Sequence, residues 1–184
     1  VTLAAHDEEW GRRLGEALGS PSFRPYLSSD VVGAEIGGAV KNVLAIACGI
    51  IEGRRLGDNA RAALITRGLA EMVRFALAKG GKRETLMGLS GLGDLCLTCT
   101  GAQSRNHGLG VALGEGRELA EILSSRRSVT EGVTSAAAAH ALARSLGIDA
   151  PISGAVDAIL HHGAGIDEVI AALLARPFKS ELLF

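Results

Sequence analysis

The sequence predicts a mainly α-helical fold preceded by a short β-α-β segment. Three observations carry that prediction. From Gly33 onward, apolar residues recur at helical spacing in one segment after another. The first 32 residues read instead as strand, helix and strand. Aromatics make up only 3% of the 184 residues, while 25 are glycine, about twice the usual ~7%. Small residues at that density suit closely packed helices with cores of Ala, Leu, Ile and Val.

VTLAA, residues 1–5, predicts a strand. Asp7 to Leu18 predicts a helix with Asp7 as its N-cap and Trp10, Leu14, Ala17 and Leu18 on one face. Gly19-Ser20-Pro21 stops it, and FRPYLSSDVV, residues 23–32, reads as extended. Three such elements cannot build a sheet domain. Residues 1–32 are therefore expected to be the end of an α/β domain lying upstream, and residues 33–184 a separate all-helical domain. Its helices are expected at Glu35–Glu52, Asp58–Lys79, Arg83–Met87, Arg105–Leu113, Glu118–Leu123, Thr134–Leu146, Pro151–His161 and Asp167–Ala175. GLSGLGD, Gly88 to Asp94, reads as a flexible turn leading into a short helix, and Val129 to Gly132 as an extended loop before the next.

The formal net charge is −1, which gives no electrostatic reason to expect nucleic acid or an anionic membrane as a partner. The scarcity of aromatics argues against a base-stacking surface. Three cysteines, Cys48, Cys96 and Cys99, are too few for a disulfide framework and fit a reducing, cytoplasmic compartment. The first residues lack a basic stretch followed by an apolar one, so no signal peptide is read there. The most apolar run, Val43 to Ile51, is far shorter than the ~20 residues that span a bilayer. No membrane insertion is expected. The chain also lacks an initiator Met, so it is expected to be cut from something longer.

Four groups of residues could carry chemistry. Lys41 lies mid-helix beside Gly37, Gly38 and Ala45, where backbone or a ligand can come close. A lysine there loses hydration and can serve as a proton donor or acceptor; its stem could equally lie on the core with the ammonium in water. Asp94 follows the glycine turn, and the bland alternative is an N-cap. Ser104 caps a helix whose first turn holds Arg105 and Asn106. Exposed N–H groups and a guanidinium there would form an anion pocket suited to phosphate; the alternative is a surface arginine beside an ordinary cap. Cys96 and Cys99 lie in an apolar helix, where thiols are inert, and no second pair of ligands completes a zinc site. His161 and His162 are adjacent, so their side chains are expected to point apart at a wet helix end. Neither GLGDLC nor GLGVAL completes G-x-G-x-x-G, and no phosphate loop is present, so no nucleotide-binding module is legible.

EIGGAVKNVLAIACGIIEG, GLSGLGDLCLTCTGAQSRNHGLG and VTEGV, in this order and spacing, resemble the bacterial NAD(P)-dependent glycerol-3-phosphate dehydrogenase family. The resemblance covers essentially all of residues 33–184, with Lys41 and Asn42 adjacent as in that family. It implies a multi-helical domain like the C-terminal domain of 6-phosphogluconate dehydrogenase, and a Rossmann domain of which residues 1–32 are the end. It implies interconversion of sn-glycerol 3-phosphate and dihydroxyacetone phosphate with NAD or NADP, feeding phospholipid synthesis. By the resemblance, Lys41 is the proton acceptor or donor at the C2 oxygen and binds substrate with Asp94, Ser104, Arg105 and Asn106. Arg105, Val129 and Glu131 would contact the cofactor, while Thr98 and Asn42 would be secondary substrate contacts. A homodimer is implied for the full-length enzyme. The 184-residue chain alone is expected to bind substrate weakly and to turn over nothing. Two other readings share these residues: the substrate domain of a related small hydroxy-acid dehydrogenase, and a non-catalytic helical dimerisation module whose motifs only pack.

Overall fold

The computed structural model describes residues 1–125 and 130–177. The N-terminal segment folds as β1 (Thr2–Ala4), α1 (Glu8–Leu18) and β2 (Tyr26–Ser28), with the two strands parallel and Leu3 opposite Leu27. Asp7 caps α1 by accepting from the Trp10 amide at 2.9 Å. Trp10, Leu14 and Leu18 share a face as the pattern predicts, yet that face is exposed. Extended backbone in the 23–32 stretch is confined to β2 and a short bridge at Phe23. Asp30 then accepts from the Gly33 amide at 2.9 Å and starts α2 (Val31–Gly53), four residues before Glu35.

The remaining helices are α3 (Asp58–Ala78), α4 (Arg83–Met87), α5 (Asp94–Thr100), α6 (Arg105–Gly114), α7 (Leu119–Ser124), α8 (Glu131–Leu146), α9 (Pro151–His161) and α10 (Ile166–Leu174). The expected helices are all present, with ends shifted by a few residues. α2 is the axis of the domain. Its residues Val43, Leu44, Ala45, Ile46 and Cys48 are fully inaccessible, and α3, α5, α6, α8 and α9 pack around it. Met72 and Phe75 of α3, Leu95 of α5 and Leu109 of α6 complete the core. α2 is long and apolar enough to cross a membrane, more so than its nine-residue apolar run suggests, but that apolar surface is spent on neighbouring helices.

α2 and α6 lie against each other backbone to backbone. A Cβ on Gly110 would overlap the carbonyl oxygen of Ile46, and one on Gly49 the carbonyl oxygen of His107. Gly53 and Gly114 repeat the contact one turn further along, so the two helices run in the same direction. Four glycines here serve close approach, not turn formation.

Two buried carboxylates tie the periphery to this axis. Asp30 accepts from Gly33 and, through its other oxygen, from the Lys82 amide at 2.8 Å. Burial would raise its pKa, but hydrogen bonds from Thr85, Gly33 and Lys82 outweigh that and hold it below the usual carboxylate range. Glu71 of α3 is fully buried and caps α9 from outside, accepting from the amides of Ile152 (2.6 Å) and Ser153 (3.0 Å) and from Ser153 Oγ (2.8 Å). Burial pushes its carboxyl up against these donors.

His161 and His162 do not point apart. Both reach Asp157, at 2.8 and 3.2 Å, together with His140 of α8 at 2.7 Å. His162 sits past the last helical turn, where φ −120° and ψ 7° swing its ring back over the helix end.

The α2–α6 contact leads to a stability prediction. Gly110→Ala should destabilise the full-length polypeptide by about 3 kcal/mol, because a rigid carbonyl must move to admit the methyl; urea unfolding measures it. A second prediction concerns His107 of α6. It is 5% exposed, and its Nε2 makes no hydrogen bond among the described residues, with Glu52 Oε2 at 3.4 Å. Burial lowers its pKa below 6.5, Glu52 opposing and Arg61 adding. The unfolded chain therefore takes up this proton first as pH falls, so stability should drop as pH falls below about 6.5. His107→Gln should flatten the fall in urea midpoint between pH 7.5 and 5.5.

Candidate active site

Lys41 stands at the middle of α2, and its ammonium is paired with Asp94 Oδ2 of α5. The two side chains are 21% and 33% exposed, so the pair sits at the floor of an open face. Gly38, one turn earlier on the same face, has nothing within 4 Å of where a Cβ would stand. The Lys41 side chain is thus largely shielded, and its ammonium is held by a carboxylate rather than left in water.

Asp94 gets there through the glycine stretch. Leu89–Gly93 is a wide π-helical turn running straight into α5, where a flexible turn was expected. Gly91 packs on the backbone of Leu86 in α4 and Gly37 of α2 on the carbonyl of Ser90, so a side chain would push the turn away from α4 at the first and from α2 at the second. Asp94 is the first residue of α5, not its N-cap, and its carboxylate is spent on Lys41. Thr98 Oγ1 donates back to the Asp94 carbonyl at 2.6 Å.

The start of α6 supplies the second part. Ser104 caps it as expected, its Oγ accepting from the His107 amide at 3.2 Å. Arg105 is half exposed and lies 3.8 Å from Glu131 Oε1. Asn106 turns inward and is 7% exposed. Its Nδ2 donates to Asn42 Oδ1 at 3.0 Å, and its Oδ1 accepts from the Gly132 amide at 2.9 Å. The expected anion trio is therefore divided: Ser104 caps, Arg105 faces out, and the Asn106 side chain binds three helices together.

Glu131 is the first residue of α8, which begins three residues before Thr134. The segment read as an extended loop is helical from Glu131 because Asn106, from another helix, takes the Gly132 N–H. Val129 lies outside the described residues. Asn42 joins the two halves: its Nδ2 reaches the Gly38 carbonyl at 3.3 Å and Glu131 Oε2 at 3.4 Å. The adjacency of Lys41 and Asn42 was the available signal, since neighbours on a helix face different partners. Lys41 meets α5, and Asn42 meets α6 and α8. Cys99 is buried against Cys48, whose thiol and the loss of solvent both push the Cys99 thiol up, so it stays protonated.

One lysine and one arginine, each with its own carboxylate, thus line a face that is open at Gly38. This arrangement suits a small anionic ligand with an oxygen to protonate. The family model described as NAD-dependent glycerol-3-phosphate dehydrogenase C-terminus matches residues 30–171. The glycerol-3-phosphate dehydrogenase [NAD(P)+] of Parvibaculum lavamentivorans is 60% identical over 98% of this chain and 54% of its own length. That of Maricaulis maris is 61% identical over the same shares. The crystal structure of the Coxiella burnetii glycerol-3-phosphate dehydrogenase superposes with a TM-score of 0.91 at 46% identity, covering 95% of this chain and 54% of that one. The chain spans about half the length of the curated relatives it matches. By the family match and these identities, the chain belongs to the NAD-dependent glycerol-3-phosphate dehydrogenase family and corresponds to its C-terminal region.

Proposed function

We propose that this chain is the substrate-binding, proton-handling part of an NAD(P)-dependent glycerol-3-phosphate dehydrogenase. The observation that carries the reading is the Lys41–Asp94 pair beside the open face at Gly38. An ammonium held by a carboxylate is the proton-donating form. It suits delivery of a proton to the C2 oxygen of dihydroxyacetone phosphate, and in the reverse direction the neutral amine would take the C2 hydroxyl proton. Asp94 fixes the ammonium so that its reach does not vary from turnover to turnover. Arg105 and the first-turn N–H groups of α6 would hold the phosphate.

NAD or NADP would supply or accept the hydride at C2. The residues present fit such a group. The space beside Gly38 is open out to 4 Å, and Glu131 and Arg105 lie at two helix starts joined to this part of α2 through Asn42. A cytoplasmic setting fits the three free cysteines, and the product would serve phospholipid synthesis. A homodimer of the full-length enzyme is supported by α10, an apolar helix with no buried residue, on which Leu174 is 81% exposed.

The test is kinetic, in a polypeptide of the relatives' full length carrying this sequence. Lys41→Ala should lower kcat by roughly 10²–10⁴-fold with the urea midpoint unchanged. Arg105→Ala should raise the KM for the phosphorylated substrate about 10–100-fold, the loss of a charge-assisted hydrogen bond. A Lys41→Ala enzyme with near-parental kcat would overturn the assignment.

A further inference from the structure

Thr130 holds the N-cap position of α8 with extended backbone, φ −101° and ψ 96°. A threonine there ordinarily accepts from the N–H two or three residues on. This one does not. It is 4% exposed, and its Oγ1 is buried with no hydrogen-bond partner among the described residues. The donor it would take, the Gly132 amide, is held by Asn106 Oδ1 at 2.9 Å. The Val133 amide bonds the Thr130 carbonyl at 3.1 Å. The N-cap residue and Asn106 are thus alternative acceptors for one N–H, and the Thr130 hydroxyl is idle in a place where an idle hydroxyl is costly.

Asn106 is the acceptor with another call on it. It occupies the first turn of α6, directly after Arg105, where the phosphate of the proposed substrate would lie. With no second cap, turning its carboxamide toward that phosphate would strand the Gly132 N–H at the start of α8. Glu131 sits at that same helix start, with Asn42 on one carboxylate oxygen and Arg105 near the other. A frayed start would carry Glu131 away with it.

We propose that Thr130 is a positioning residue for substrate binding, a standby cap that takes the Gly132 N–H when Asn106 turns to the phosphate. The exchange conserves the capping bond. Before it, Asn106 caps α8 and Thr130 is idle; after it, Thr130 caps α8 and Asn106 binds the ligand. Asn106 would also give up its bond to Asn42 Oδ1, which its bond to the phosphate would replace. The inference rests on the phosphate reading of the α6 start.

The experiment uses the full-length polypeptide and follows binding of glycerol 3-phosphate by calorimetry alongside urea unfolding. Thr130→Val keeps the shape and removes the acceptor. The expected result is a Kd weakened about tenfold, near the worth of one hydrogen bond, with a urea midpoint unchanged or raised because an unsatisfied hydroxyl is gone. Thr130→Ser keeps the acceptor and should keep the parental Kd even if the lost methyl lowers the midpoint. An unchanged Kd in Thr130→Val overturns the proposal, as does a weakened Kd in Thr130→Ser. Arg105→Ala is the reference. If it weakens binding and Thr130→Val does not, the exchange fails and the substrate reading stands. If neither weakens binding, the substrate reading fails with it.

Discussion

The site hangs on the backbone contact between α2 and α6. Helices carrying ordinary side chains at the contact lie 8–10 Å apart, and at that spacing Asn106 would not meet Asn42. Glycine at 49 and 53 on one helix and at 110 and 114 on the other removes the intervening atoms. The start of α6 then falls beside the middle of α2, where Lys41 and Asn42 are consecutive. α8 is registered in turn, because Gly132 admits Ile46 and Asn106 at its own missing side chain. Three helix positions far apart in sequence are thereby set by a contact that contains no functional group.

The two cations on this frame are gripped differently, and the difference follows from geometry. Lys41 rises from a packed stem and is two-thirds or more shielded together with Asp94. Arg105 and Glu131 are more than half exposed and 3.8 Å apart, a pair worth little in water. On the proposed function, an incoming phosphate dianion would meet at Arg105 a cation whose pairing with Glu131 is weak. At Lys41 it would meet a cation whose counter-charge stays in place. On that reading the nearly neutral chain would offer Arg105 for recognition and the Lys41–Asp94 pair for chemistry.

Helix positions were legible in the sequence because apolar spacing and caps are local. Asp7, Ser104 and Pro151 mark their helix starts as read. The failures share one cause, which is a partner supplied from elsewhere in the fold. α8 starts early because Asn106 caps it from α6, and α9 needs no cap of its own because Glu71 does that from α3. His161 and His162 converge because Asp157, buried and facing α8, gives both a target. Within the site, the resemblance, and not the spacing alone, pointed to Lys41, Asp94, Ser104, Arg105 and Asn106. It could not show that the Asn106 side chain turns inward, since an N2 residue can face either way until its neighbours are known. Burial pushes the Asp157 carboxyl up, but hydrogen bonds from His140 and His161 prevail and hold it low, an effect no one-dimensional pattern encodes.

Gly38 makes the last point about α2. Glycine in a helix interior costs roughly 0.5–1 kcal/mol relative to alanine. At Gly37, Gly49 and Gly53 that cost has a visible return, because a methyl would strike backbone. At Gly38 nothing stands within 4 Å, and an alanine would fit the described structure without conflict. Packing among the described residues therefore gives no reason for glycine there. On the proposed function, a ligand would occupy that space next to Lys41. On the same reading that occupant is the pair of ligands whose reacting carbons must meet beside the lysine, and a glycine there keeps a side chain out of their space at the cost of some helix stability.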